Sequence, residues 1–162
     1  MEKLVECVPN FSEGRDQSKI DKIVDHMNTV SQVTVLDVDP GFDTNRTVVT
    51  LVGSPEAIAE AAFKGIKRAA EILDMSQHSG THPRMGATDV CPFIPVRSVS
   101  DDECIELSNQ VGKRVGDELD IPVYLYEKSA QSPERVKLPD IRKGEYEGLF
   151  EKYGSKDVIS FA

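Results

Sequence analysis

The sequence predicts an α+β fold, a two-layer sandwich in which helices cover one face of a mixed or antiparallel sheet. Three observations carry this expectation. The elements run β-α-β-β-α-β and then α-β, the order of a split βαβ, ferredoxin-like arrangement. Amphipathic helical stretches alternate with short β-branched runs, so helices gathered on one side leave the other side of the sheet to a partner layer. The chain has 162 residues, 39% hydrophobic and 29% charged, the balance of one soluble globular domain or at most two small ones.

Residues 4–8 alternate as a strand does and end at Pro9 and Asn10; residues 11–15 read as a turn-rich connection. Across residues 16–30, Ile20, Ile23, Val24, Met27 and Val30 recur at helical spacing. A second strand at 33–38 stops at the Asp39–Asp43 turn, and a third follows at 47–52, rich in β-branched residues. Ser54, Pro55 and Glu56 open a helix with a hydroxyl cap, a first-turn proline and an acid at the positive dipole end. Its face is Ile58, Ala62, Ile66, Ala69 and Leu73. A fourth strand spans 88–96, and Ser100 with Glu103 forms a capping box for a third helix reaching Leu119. Cys104, Leu107, Val111 and Val115 make that helix's apolar face, and residues 123–126 give a fifth strand. Beyond Ala130 the signal thins to a loop at 133–139, a short helix at 141–152, and a frayed tail or short strand at 154–162. There is no internal repeat and no low-complexity segment.

The formal charge of −9, with Lys and Arg scattered, argues against a nucleic-acid surface. No stretch approaches the roughly 20 apolar residues that span a bilayer, and the charged start lacks the apolar core of a signal peptide. Cys7, Cys91 and Cys104 are odd in number and sit among apolar neighbours, as buried thiols in a reducing cytoplasm do.

Residues 78–91 say most about chemistry. They pack His78, His82 and Arg84 among Gly80, Pro83 and Gly86, then run straight into an apolar strand. Polar groups on a loop backed by rigid structure are a common way to build a site. Chelation of zinc by His78 and His82 is weak, because Gly80 and Pro83 break the helix that their spacing needs and no acidic or thiol partner stands at obvious spacing. No metal is expected. A Cys91 nucleophile paired with His82 would need an electropositive setting that an apolar strand does not supply. General acid/base work by His82 and a purely structural tie of the loop both remain open. So do two readings of Gly80 and Gly86, as hosts for positive φ or as places of close backbone approach. The stretch from Asp39 to Arg46 reads either as a strand-to-strand turn flanked by an exposed ion pair or as a binding loop. His26 lies on the polar side of the first helix.

At these residues the chain resembles a family, the N-terminal subdomain of glutamate formimidoyltransferase. The matching segments are residues 6–15, Asn45 and Arg46 ahead of the third strand, Asp74 and Met75, residues 82–96, residues 123–126 and residues 141–149. The strongest is the run from His82 through Pro83, Arg84, Met85 and Gly86 to Val96. The resemblance implies transfer of a formimidoyl group from N-formimidoyl-L-glutamate to N5 of tetrahydrofolate, the co-substrate, in histidine degradation. It places the catalytic histidine at His82. It also implies that Asp39, Thr44, Asn45, Arg46, Arg84, Met85 and Gly86 line the folate side of a cleft. Residues 1–152 would form the subdomain and 153–162 a tail. The family's following linker motif and second subdomain are missing from this sequence, so the cleft would need a homodimer partner or a separate second-half chain. The alternative is a non-catalytic folate-binding or dimerisation module.

Overall fold

The computed structural model of the chain describes residues 2–149 and 159–161. In chain order it contains β1 (Leu4–Cys7), β2 (Asn10–Phe11), α1 (Gln17–Asn28), β3 (Val33–Gly41), β4 (Arg46–Gly53) and α2 (Pro55–Ile72). There follow β5 (Thr88–Val90), β6 (Phe93–Arg97), α3 (Asp101–Leu119), β7 (Val123–Leu125), α4 (Leu138–Ile141) and β8 (Ile159–Phe161). The fold is α+β, with one eight-stranded, mainly antiparallel sheet. β4 is its organising strand: β3 pairs along one edge of it, and β1 and β2 share the other. β1 and β2 in turn pair with β6 and β5, all antiparallel, while β8 lies parallel to both β5 and β7.

Several boundaries differ from the sequence expectations for physical reasons. Residues 10–11 are a short strand rather than part of a turn, and Val8 donates its amide to the Pro92 carbonyl alongside. The strand expected at 88–96 is split into β5 and β6, with Cys91 and Pro92 between them. β3 continues through Asp39 and Pro40 to Gly41. Among the described residues it pairs with β4 alone, so Pro40, which has no amide to donate, sits at an edge where that costs nothing. The helix expected at 141–152 is instead the single turn α4 followed by turns. Gly144 at φ 90° and Glu145 at φ 51° lie in the left-handed region, which no α-helix traverses. Residues 150–152 of that expectation, and residues 154–158 and 162 of the expected tail, lie outside the described residues. Residues 159–161 form β8.

Alternation puts the core on one side of the sheet. Val5, Cys7, Val49 and Leu51 are buried and face Ile58, Ala61, Ala62, Ile66, Val111 and Val115 of the helices. The opposite side carries Leu4, Glu6, Val48, Thr50 and Val52, half-buried, with Ile94 and Val96 exposed. Asp39 pairs with Val48, so Asp39 and Arg46 share this helix-free side. All three cysteines are buried free thiols, as expected. The structure adds one contact not foreseen: Cys7 Sγ lies 3.6 Å from Cys91 Sγ, and burial together with that contact pushes the Cys7 thiol well up, away from the reactive thiolate. No helix among the described residues is long and apolar enough to cross a membrane.

The helix starts formed as the sequence indicates. Ser54 Oγ accepts the Ala57 amide, and at α3 Ser100 Oγ accepts the Glu103 amide while Glu103 Oε2 accepts the Ser100 amide. Replacing Ser100 by alanine removes half of this reciprocal cap. We expect a loss of about 1 kcal/mol in urea unfolding, with the circular dichroism of the folded protein unchanged.

Candidate functional site

Four segments converge at the β3–β4 end of the helix-free face. The first is the connection after β2, where Ser12 donates its amide to the Ala87 carbonyl and its hydroxyl to the Gly86 carbonyl. The second is the β3–β4 turn. Asn45, buried at φ 50°, accepts the Gly14 amide on Oδ1, donates Nδ2–H to the Ser79 carbonyl, and offers its own carbonyl to His78. Asparagine is among the few side chains that tolerate this backbone region and can also bridge locally. The third segment is the histidine loop. Gly80 is required there for close approach: a Cβ would stand 2.4 Å from the Thr44 carbonyl oxygen. Neither Gly80 nor Gly86 has positive φ, which decides between the two readings of Gly80.

The fourth segment follows α4 and was not legible as part of a site. Arg84 is buried and its guanidinium is spent internally. Nε–H donates to His78 Nδ1 at 2.9 Å, Nη1 reaches Glu145 at 3.1 Å and Glu147 at 3.0 Å, and Nη2 reaches Glu147 at 2.6 Å and the His78 carbonyl at 3.1 Å. Hydrogen bonding to Glu147 is the main cause holding the Arg84 pKa above its ordinary value, and the same bond holds the Glu147 carboxyl below its own. The Tyr146 amide closes the contact on the Arg84 carbonyl. Two of the residues expected at the cleft have their side chains engaged internally. Arg84 has no free fork for a ligand carboxylate, and Met85 points into the core at 1% exposure rather than lining an open groove. Gly86 is also buried, and its carbonyl is taken by Ser12.

His82 itself is half-buried. Arg46 Nη1–H donates to its Nε2 at 2.5 Å, and its Nδ1 lies 2.6 Å from the Pro83 carbonyl. Because a guanidinium only donates, Nε2 must accept, and the proton sits on Nδ1, where the Pro83 carbonyl receives it. Burial first, and the Arg46 charge second, hold the His82 pKa below its ordinary value. The imidazole is therefore a neutral base with a defined tautomer. Burial and the nearby Arg142 likewise lower Arg46. Asp39, exposed on β3, lies within Coulombic reach of Arg46, yet the two form no ion pair because the guanidinium is turned to His82. Thr44 is half-buried, its hydroxyl on the Gly41 carbonyl. His78 uses both ring nitrogens, one from Arg84 and one to Asn45. Among the described residues no group of three or more His, Cys, Asp or Glu side chains stands ready to hold a metal ion.

The sequence profile described as formiminotransferase domain, N-terminal subdomain, matches residues 4–160. The chain belongs to this family. Its sequence relatives include glutamate formimidoyltransferases and formimidoyltransferase-cyclodeaminases. It is 50% identical over 157 residues to a glutamate formimidoyltransferase of Streptococcus pyogenes serotype M1, covering 97% of this chain and 52% of the relative. A glutamate formimidoyltransferase of Thermoplasma acidophilum is 49% identical over 89% of this chain and 48% of its own length. A formimidoyltransferase-cyclodeaminase of Dictyostelium discoideum is 53% identical over 94% of this chain, but only 28% of the relative is covered. The chain thus spans about half the length of these glutamate formimidoyltransferases and far less of the formimidoyltransferase-cyclodeaminase.

The electrostatics of His82 have a measurable consequence. Its folded pKa lies below that of the unfolded chain, so its contribution to stability is intact above the ordinary value of about 6.5 and is lost as pH falls through that value toward the folded one. His26, lowered mainly by burial, acts in the same direction. In an NMR titration of the imidazole carbons, the His82 ring is expected to titrate below about 6.5. Arg46→Gln should move its pKa upward. An unchanged value in that variant would show that Arg46 does not hold the ring neutral.

Proposed function

We propose that this chain supplies the general-base half of an active site that moves a formimidoyl group from N-formimidoyl-L-glutamate to N5 of tetrahydrofolate. The observation that supports it most is the state of His82: neutral, with Nδ1–H fixed on the Pro83 carbonyl and the Nε2 lone pair beside Arg46 on the helix-free face. In this reading an incoming glutamate carboxylate draws the Arg46 fork to itself, since bidentate carboxylate pairing is what that fork does best, and so releases Nε2. N5 of the folate attacks the formimidoyl carbon, and Nε2 takes the N5 proton. The tetrahedral intermediate collapses as the imidazolium returns that proton to the glutamate nitrogen. Glutamate leaves as an amine, and the formimidoyl group remains on N5. Asp39 stands near enough to Arg46 to balance a protonated, cationic donor. Holding both substrates in one place supplies much of the rate.

The residue roles divide by depth. Asp39, Thr44, Arg46 and His82 face the folate and donor; Asn45, Arg84, Met85 and Gly86 hold the loop from beneath. The strand order 88–97, 4–11, 46–53, 33–41, all antiparallel, supports a ferredoxin-like core within the α+β fold. Residues 1–152 form the subdomain in this reading, with β8 of the tail segment added to its sheet. The helix-free face, with Ile94 and Val96 exposed, is where a second half would stack, whether from a homodimer partner or a separate chain in the cytoplasm. The site uses tetrahydrofolate as co-substrate and no metal. A second reading, a non-catalytic folate-binding or dimerisation module, is supported by the internal use of the Arg84 fork and by the hydrogen bond that Arg46 already makes to His82 Nε2.

Turnover of N-formimidoyl-L-glutamate and tetrahydrofolate, measured with the second half of the Streptococcus pyogenes relative added in trans, separates the two. On the transferase reading, His82→Ala lowers kcat by about 10²- to 10⁴-fold, while folate binding persists. Equal, background rates for wild type and variant, with folate still bound, would establish the module instead.

A further inference from the structure

The histidine loop is tied down by a second ionic group that no role above has used. Asp89, on β5, is 1% exposed. Its Oδ1 accepts the Met85 amide at 2.7 Å, and its Oδ2 accepts Arg142 Nη2–H from the residue that ends α4. A carboxylate this deeply buried is stable only when its oxygens are bonded and its charge is matched. We infer that Asp89 and Arg142 are a positioning pair for His82: through the Met85 amide they fix the loop that carries the imidazole, and through their opposed charges they set the field at its ring.

The path is short. Met85 lies three residues after His82, and the Pro83 carbonyl that holds Nδ1–H lies between them. A shift of the Asp89 carboxylate is transmitted through the Met85 amide and the rigid proline to the ring. Four groups face His82: Arg46 from β4, Asp89 from β5, Arg142 from the end of α4, and the Pro83 carbonyl of its own loop. Arg142 opposes the imidazolium and Asp89 favours it, so the two act against each other at the ring. Removing either member unmasks the other. The purpose of this arrangement rests on the reading of His82 as a base, but its existence does not, because titration of the ring needs no turnover.

The test is an NMR titration of His82 in the intact chain and its variants. Asp89→Asn keeps an oxygen for the Met85 amide and leaves the Arg142 cation unmatched, so the His82 pKa should fall. Arg142→Met leaves the Asp89 anion unmatched, so it should rise. Each change should appear as a displacement of the His82 midpoint in the stated direction. The double variant should return close to the wild type, and Arg142→Lys, which keeps the cation, should not depart from it. A purely structural role would not give shifts of opposite sign that cancel. Singles that move His82 in the same direction, or that leave it unmoved in folded protein, would overturn the proposal. Should Arg142→Met fail to fold, Asp89→Asn decides alone: an unchanged His82 there rejects the pair. Loss of transferase activity in the earlier assay leaves this outcome readable.

Discussion

The buried Arg84 guanidinium is the constraint on which the site rests. The loop around it contains glycines and a proline, has no helical or strand ladder of its own, and carries an imidazole that must be held in one orientation. Five N–H groups in a fixed plane can fasten such a loop where a flexible ammonium could not. One edge of the plane grips His78 and its carbonyl, and the other grips Glu145 and Glu147. Both carboxylates keep substantial solvent contact, so each pair is worth less than a fully buried one. Their value is geometric.

From that anchor the remaining order follows. Asn45 stitches the β3–β4 turn to the connection after β2 and to the histidine loop, and Ser12 pins the loop's far end. The turn then delivers Arg46 to His82 without help from Asp39. The cation beside the ring does two things at once, occupying Nε2 and discouraging its protonation. In the proposed reading the base is stored capped, and a competing anion uncaps it.

Much of this was legible in the sequence, and the part that was not has a common cause. Capping residues and helix faces are local, and Ser54 and Ser100 read correctly because the amides they cap lie three residues away in sequence. The loop around His82 stood out by the density of its polar and backbone-breaking residues. The partners of Arg84 were not visible, because Glu145 and Glu147 lie about sixty residues downstream in a stretch that reads as helix. Arg84 and Met85 were expected to line a cleft because the family resemblance implied it. Alternation in so irregular a segment gives no reliable facing, and both side chains turn inward. The continuation of β3 through Pro40 was hidden likewise, since only knowledge of which strand is outermost makes a proline acceptable there.

β8 is three residues long, yet it is inserted between β5 and β7, strands formed from residues much earlier in the chain. During synthesis β5 and β7 both leave the ribosome before the segment that separates them. Until then each presents an unsatisfied row of amides and carbonyls to whatever nascent polypeptide is nearby. Docking of β8 therefore also removes a hazard, closing the open margin of β5 and one margin of β7 within a continuous sheet.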